Sequence, residues 1–200
     1  MERIAVFGGA FDPPHNGHLV TIGKLLNSGE FSKVIVVPSG DRPDKPERAR
    51  AAERVHMVRL ALDDGFLGDS RVELFTEQAL GSVGYRTVDL HESLTTIYPH
   101  ASLEFVIGSD LLAELPVWQE VPRLKKAITF LYLARPGVAD FSFEERVREG
   151  FNVKKFEFEP ESGVMVSSSS LREALGEGRS TVGLLPSVVR EYIQLRRLYS

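Results

Sequence analysis

The sequence predicts an α/β fold, a parallel sheet with helices on both faces. Short runs of β-branched and aromatic residues recur along it, and each is followed by a stretch with apolar residues at helical spacing. Several runs are apolar at consecutive positions, as strands covered on both sides require. The 200 residues, 42% hydrophobic and 26% charged, suffice for a single domain over 1–200, and no internal repeat or low-complexity linker divides them.

In order, Ile4–Phe7 is an apolar run stopped by Gly8-Gly9 and predicts the first strand. Leu19, Ile22, Gly23 and Leu26 then share one helical face. Val34–Val37 predicts the second strand, closed by Pro38, and a polar loop from Ser39 to Arg50 leads to a helix marked by Val55, Val58 and Leu62. Val72–Phe75 predicts a strand, and Thr87, Leu90, Leu94 and Ile97 form a helix stripe. Leu103–Ile107 is another strand, running into Gly108-Ser109-Asp110. A short helix over Leu111–Leu115 stops at Pro116, and a second covers Gln119–Lys126. Ile128–Ala134 is the most apolar strand. A helix over Phe143–Glu149 and a strand over Val153–Phe158 follow, and helices over Ser168–Glu177 and Ser187–Leu198 complete the pattern.

Composition excludes several classes of function. With 24 basic and 28 acidic residues, the net charge of −4 does not suit a protein that coats nucleic acid through its phosphates. There is no cysteine, which removes disulfides, thiolate metal sites and a thiol nucleophile, and fits a reducing compartment. No apolar stretch approaches the about 20 residues of a membrane span. The apolar residues after Met1-Glu2-Arg3 are too few for a secretory signal, so a cytoplasmic protein without membrane or nucleic-acid partners is expected.

In open α/β sheets, ligands bind beyond the carboxyl ends of the strands. Three polar clusters fall there. Gly8-Gly9-Ala10-Phe11-Asp12-Pro13-Pro14-His15-Asn16-Gly17-His18 combines a sharp turn with two imidazoles one helical turn apart at a helix start. Imidazole N–H donors beside free backbone N–H groups suit a phosphate, although a Gly-Pro turn with two surface histidines fits the same residues. A transition-metal site would need at least one ligand beyond the two histidines; Asp12 is near in sequence, His56, His91 and His100 lack matching spacing, and no metal is expected. Neither a dinucleotide G-x-G-x-x-G nor a Walker loop is present. Val166-Ser167-Ser168-Ser169-Ser170-Leu171-Arg172 reads either as a helix N-cap or as hydroxyls and a guanidinium gathered for phosphate. The loop Pro38–Lys45 is a solvated charged segment or a carrier of a movable cation at Lys45.

Gly8–His18 resembles the G-x-F-D-P-x-H-x-G-H signature of the nucleotidylyltransferase superfamily, and Ser167–Arg172 resembles its late I-S-S-T-x-I-R element. Further along, Pro38-Ser39-Gly40 with Lys45, Gly108-Ser109-Asp110, Leu115-Pro116-Val117-Trp118, Arg135-Pro136-Gly137 and Val189–Ile193 resemble landmarks of the bacterial nicotinate-mononucleotide adenylyltransferase family. The likeness covers nearly the whole chain.

The resemblance implies a Rossmann-like fold of the nucleotidylyltransferase type. It also implies transfer of AMP from ATP, with Mg²⁺, to nicotinate mononucleotide, releasing pyrophosphate. Within it, His15, His18 and Arg172 would carry catalysis on the phosphates. Gly8, Gly9, Ala10, Phe11, Gly108, Asp110, Ser168 and Ser169 would line ATP. Lys45, Tyr85, Arg86 and Trp118 would meet the substrates, with Trp118 stacked on the pyridine ring. Three segments depart from the family pattern. Asp44 replaces an imidazole ahead of Lys45, Ser169 replaces a threonine, and Gly84–Leu90 differs from S-Y-T-x-D-T-L. This last change suggests that Arg86 donates to the nicotinate carboxylate. Other members of the superfamily, such as phosphopantetheine adenylyltransferase or a cytidylyltransferase, and a non-catalytic nucleotide sensor are the alternatives. A homo-oligomer is compatible with the amphipathic closing helix.

Overall fold

A computed structural model describes residues 2–41, 49–81, 83–134, 141–157 and 166–200. The elements run β1 (Glu2–Gly9), α1 (Asn16–Asn27), β2 (Lys33–Pro38), α2 (Ala51–Phe66), β3 (Val72–Leu74) and α3 (Thr87–Ile97). They continue as β4 (Ala101–Ile107), α4 (Ser109–Glu114), a 3₁₀ turn (Leu115–Val117), α5 (Val121–Ala127), β5 (Thr129–Ala134), α6 (Phe141–Arg148), β6 (Asn152–Glu157), α7 (Ser168–Gly176) and α8 (Ser187–Arg196).

The strands form one sheet in the order β3-β2-β1-β4-β5-β6, every pair parallel. That is the doubly wound Rossmann order, whose switch point lies between the first and fourth strands. Here it falls between Gly8-Gly9 at the end of β1 and Gly108 beyond β4, the two places where the sequence turns glycine-rich.

Alternate strand residues build the two cores. Ile4, Val6, Ile35, Val37, Phe105 and Phe130 pack with Leu90 and Leu94 of α3, Leu112 of α4 and Leu124 of α5. Ala5, Val34, Val36, Val106 and Leu131 pack on the opposite face with Ile22, Leu25 and Leu26 of α1 and Val58 and Leu62 of α2. A third cluster joins Met57 and Ala61 of α2 to Leu171 of α7 and Val189 and Ile193 of α8. It holds the late helices against α2, beside the carboxyl ends of β1 and β2.

One buried charge interrupts the central strands. Glu104 of β4 is fully buried, held by Nε of Arg3 at 2.9 Å and Nζ of Lys154 at 2.8 Å. Burial alone would raise its pKa, but these two cations hold the carboxyl below the usual range. The helix expected over Gln119–Lys126 begins at Val121 because Glu120 adopts a left-handed backbone (φ 62). No helix among the described residues is long and apolar enough to cross a membrane.

Candidate active site

β1 ends where the main chain must fold tightly over itself. A side chain at Gly9 would meet the Phe11 ring at 3.3 Å, and Phe11 is itself left-handed at φ 51, an uncommon backbone for a bulky residue. The Phe11 ring then packs edge-on against His18, with centroids 4.8 Å apart.

His15 precedes α1 in an extended conformation, and its backbone N–H donates to Nδ1 of His18 at 3.1 Å. That bond fixes the neutral His18 tautomer: Nδ1 accepts, so the proton resides on Nε2. The two imidazoles stack with centroids 3.6 Å apart. Gly17 makes room for them, since a Cβ there would lie 3.0 Å from Nδ1 of His15 and 3.2 Å from Val166, just ahead of α7. Burial pushes the His15 pKa down to about 4, and burial followed by the neighbouring His15 pushes His18 well down. Both rings are therefore neutral hydrogen-bonding groups at pH 7.

The serine run divides its work. Ser167 is the N-cap of α7, its hydroxyl accepting from the Ser170 N–H at 3.1 Å. Ser168 donates its hydroxyl to the Pro13 carbonyl at 2.9 Å. Arg172 donates from NH1 to the Asp12 carbonyl at 2.7 Å and from NH2 to the Ser169 hydroxyl at 3.1 Å. The capping reading of this cluster thus holds for Ser167, while its neighbours tie α7 to the early loop.

Gly108 precedes α4 in extended conformation, and Asp110 folds back so closely that a Cβ on Gly108 would lie 2.8 Å from its Oδ1. Trp118 follows the 3₁₀ turn, half-buried, with its ring edge-on to Phe130 of β5 at 6.0 Å. Tyr85 is exposed, and its hydroxyl meets the amide of Gln119. Arg86 lies ahead of α3 in a fork with Asp89, at 2.9 Å from Nε and 2.7 Å from NH2, and its NH1 reaches Glu120 at 3.2 Å. Its charge thus faces two carboxylates of the protein, and the bridge joins the entry of α3 to the segment bearing Trp118. Lys45 and Arg135-Pro136-Gly137 lie outside the described residues.

Two residues that sequence reasoning passed over support the early loop. Arg54 of α2 is fully buried, donating to the carbonyls of Ala10 at 2.7 Å and Ala49 at 3.1 Å and to Asp41 at 3.1 Å. Holding the Ala10 carbonyl beneath the loop keeps that oxygen's charge turned toward the guanidinium. The sequence did hold a signal, because Arg54 lies on the same helical face as Ala51, Val58 and Ala61, where an arginine is out of place. Asp12, weighed above only as a metal ligand, accepts the Ala49 N–H at 3.1 Å and the Tyr199 hydroxyl at 2.6 Å.

The cytidylyltransferase-like family matches residues 6–174. A Geobacillus thermodenitrificans protein named "Probable nicotinate-nucleotide adenylyltransferase" is 32% identical over 201 residues, covering 100% of this chain and 87% of that one. The chain belongs to the nicotinate-nucleotide adenylyltransferase family. A Desulfitobacterium hafniense member carrying the same name is 32% identical over 207 residues, spanning 99% of this chain and 96% of its own. The family fold extends to the Plasmodium falciparum nicotinic acid mononucleotide adenylyltransferase complexed with NaAD. That structure matches with a TM-score of 0.84 over 100% of this chain and 98% of that one, at 22% identity.

Proposed function

We propose that this adenylyltransferase moves AMP from ATP to nicotinate mononucleotide, in NAD biosynthesis, and does so in a cradle shared by its early and late signatures. The observation supporting the cradle is the pair of bonds Arg172–Asp12 and Ser168–Pro13, which join stretches 160 and 155 residues apart. They put the guanidinium and the hydroxyls of α7 beside the loop that carries His15 and His18.

In the reaction, a phosphate oxygen of the mononucleotide attacks the α-phosphorus of ATP. The bond from that phosphorus to the β-phosphate oxygen breaks, and pyrophosphate leaves with the electron pair. The nucleophile is already an anion near neutral pH, so no general base is needed. The work left to the protein is to position two polyanions and stabilise charge on the transferring and leaving oxygens. Neutral His18 suits this role, because its Nε2–H donates to phosphate while Nδ1 stays anchored on the His15 N–H. Arg172 supplies the positive charge, with further N–H groups beyond the two bonded to Asp12 and Ser169. Gly8, Gly9, Ala10 and Phe11 let the backbone approach ATP, and Gly108 and Asp110 face the adenosine across the switch point. Trp118 and Tyr85 flank the pyridine end.

Among the described residues, no group of three or more His, Asp or Glu comes together to hold a metal. Mg²⁺ would come with ATP, held by phosphate oxygens and water as this ion prefers, and would screen the triphosphate.

The test is pyrophosphate release with ATP and Mg²⁺ across a panel of acceptors. Release with nicotinate mononucleotide and formation of the dinucleotide are expected. Turnover only with phosphopantetheine, or none with any acceptor, would sink the reading.

A further inference from the structure

Asp12 is a buried carboxylate, 2% exposed, where three parts of the chain converge. Its Oδ1 accepts from Ala49 ahead of α2 and from the Tyr199 hydroxyl at 2.6 Å, in the segment that follows α8. Its Oδ2 lies 3.8 Å from NH1 of Arg172, the same nitrogen that its own carbonyl binds at 2.7 Å. A carboxylate and an incoming phosphate thus draw on one guanidinium. An unrestrained aspartate at this distance would close a two-bond ion pair on Arg172, the geometry that an arginine fork favours.

Tyr199 stands against that closure together with the Ala49 N–H, both on the same oxygen. After α8 the chain turns through Arg197 (φ 52) and Tyr199 (φ 65), both left-handed, a backbone that residues with a side chain rarely adopt. The turn delivers the hydroxyl to Oδ1. Burial, then the bond to Asp12, pushes the tyrosine pKa up, so the hydroxyl keeps its proton and remains a donor.

We infer that Tyr199 is a positioning residue for adenylyl transfer. Its hydroxyl holds Oδ1 of Asp12, so that Asp12 meets Arg172 through its carbonyl and the guanidinium stays available to the ATP phosphates. The inference rests on the phosphate role of Arg172 given above. The hydroxyl itself touches no substrate and acts through Asp12.

The experiment is a double-mutant cycle on the full chain, with kcat and the KM of each substrate measured for wild type, Tyr199→Phe, Arg172→Ala and the double variant. Tyr199→Phe deletes one hydroxyl, and its folding is followed by Tm. The expected result is a fall of about tenfold in kcat/KM for ATP, the scale of one charged hydrogen bond, with the KM for the mononucleotide unchanged. In the Arg172→Ala background the same change should cost less than about twofold, because its target is gone. Equal losses in both backgrounds, or a lowered Tm with unaltered kcat/KM, overturn the positioning role while leaving Arg172 its own. Wild-type rates for Arg172→Ala overturn the phosphate role of Arg172, and this inference with it.

Discussion

NH1 of Arg172 lies 2.7 Å from the carbonyl oxygen of Asp12, across 160 residues of sequence. The bond points the guanidinium along the loop that begins α1, where a phosphate would meet it and the two imidazoles together. Arg172→Lys keeps the charge but loses the fork and the bond to Ser169. A loss of at least about 10² in kcat/KM for ATP is expected. A modest fall in Tm is expected as well, since the side chain is only 28% exposed and ties α7 to the early loop. Steady-state kinetics with a parallel melting curve checks both.

His18→Ala removes the Nε2–H donor and leaves the His15 N–H without its acceptor. It should lower kcat by about 10²–10³ with the fold retained. Near-wild-type turnover would refute the role.

Gly17→Ala separates helix propensity from site geometry. Alanine is favoured over glycine in a helix by about 1 kcal/mol, but its methyl would press on the His15 ring at 3.0 Å and on Val166 at 3.2 Å. Stability close to wild type with a drop in kcat of about tenfold or more is expected. Thermal melts alongside initial rates decide it.

The imidazoles give the site a pH dependence. Because the folded pKa of His15 is lowered, to about 4, its contribution to stability is complete above the unfolded value near 6.5 and is lost as pH falls toward 4. The full loss is of order 3 kcal/mol. A bound triphosphate favours the imidazolium, so ATP should raise the midpoints of both rings from their lowered positions and couple its binding to proton uptake on the acid side. Histidine titration by NMR, with and without ATP, measures the shift.

Arg86 is occupied by Asp89 and Glu120, and as a strut between α3 and the Trp118 segment it should serve the acid and amide nucleotides alike. Arg86→Ala is then expected to raise the KM for the mononucleotide several-fold while the ratio of kcat/KM between the two nucleotides stays constant. A collapse of that ratio would return Arg86 to the role of carboxylate receptor.

These residues mark what sequence can carry. The strands were legible because runs such as Ile4–Phe7 and Leu103–Ile107 are apolar at every position but Glu104, and the glycines of the switch point sit at the ends of β1 and β4. Glu104 itself gave no warning, because its partners Arg3 and Lys154 come from other strands. The histidines and Arg172 stood out through local spacing. Asp12 and Tyr199 did not, because their meaning lies in a hydrogen bond between residues 187 positions apart, and Arg54 showed only as an arginine on an apolar helix face, its target 44 positions away. The partner of Arg86 across the fold, Glu120, lies 34 residues on and gave no local signal.

The most direct measurement is a crystal structure with Mg²⁺ and an ATP analogue whose α,β-bridge is methylene. The cradle predicts one triphosphate within about 2.7–3.2 Å of both Nε2 of His18 and a guanidinium nitrogen of Arg172. A triphosphate bound to only one of the two, or away from the ends of β1 and β4, would contradict it.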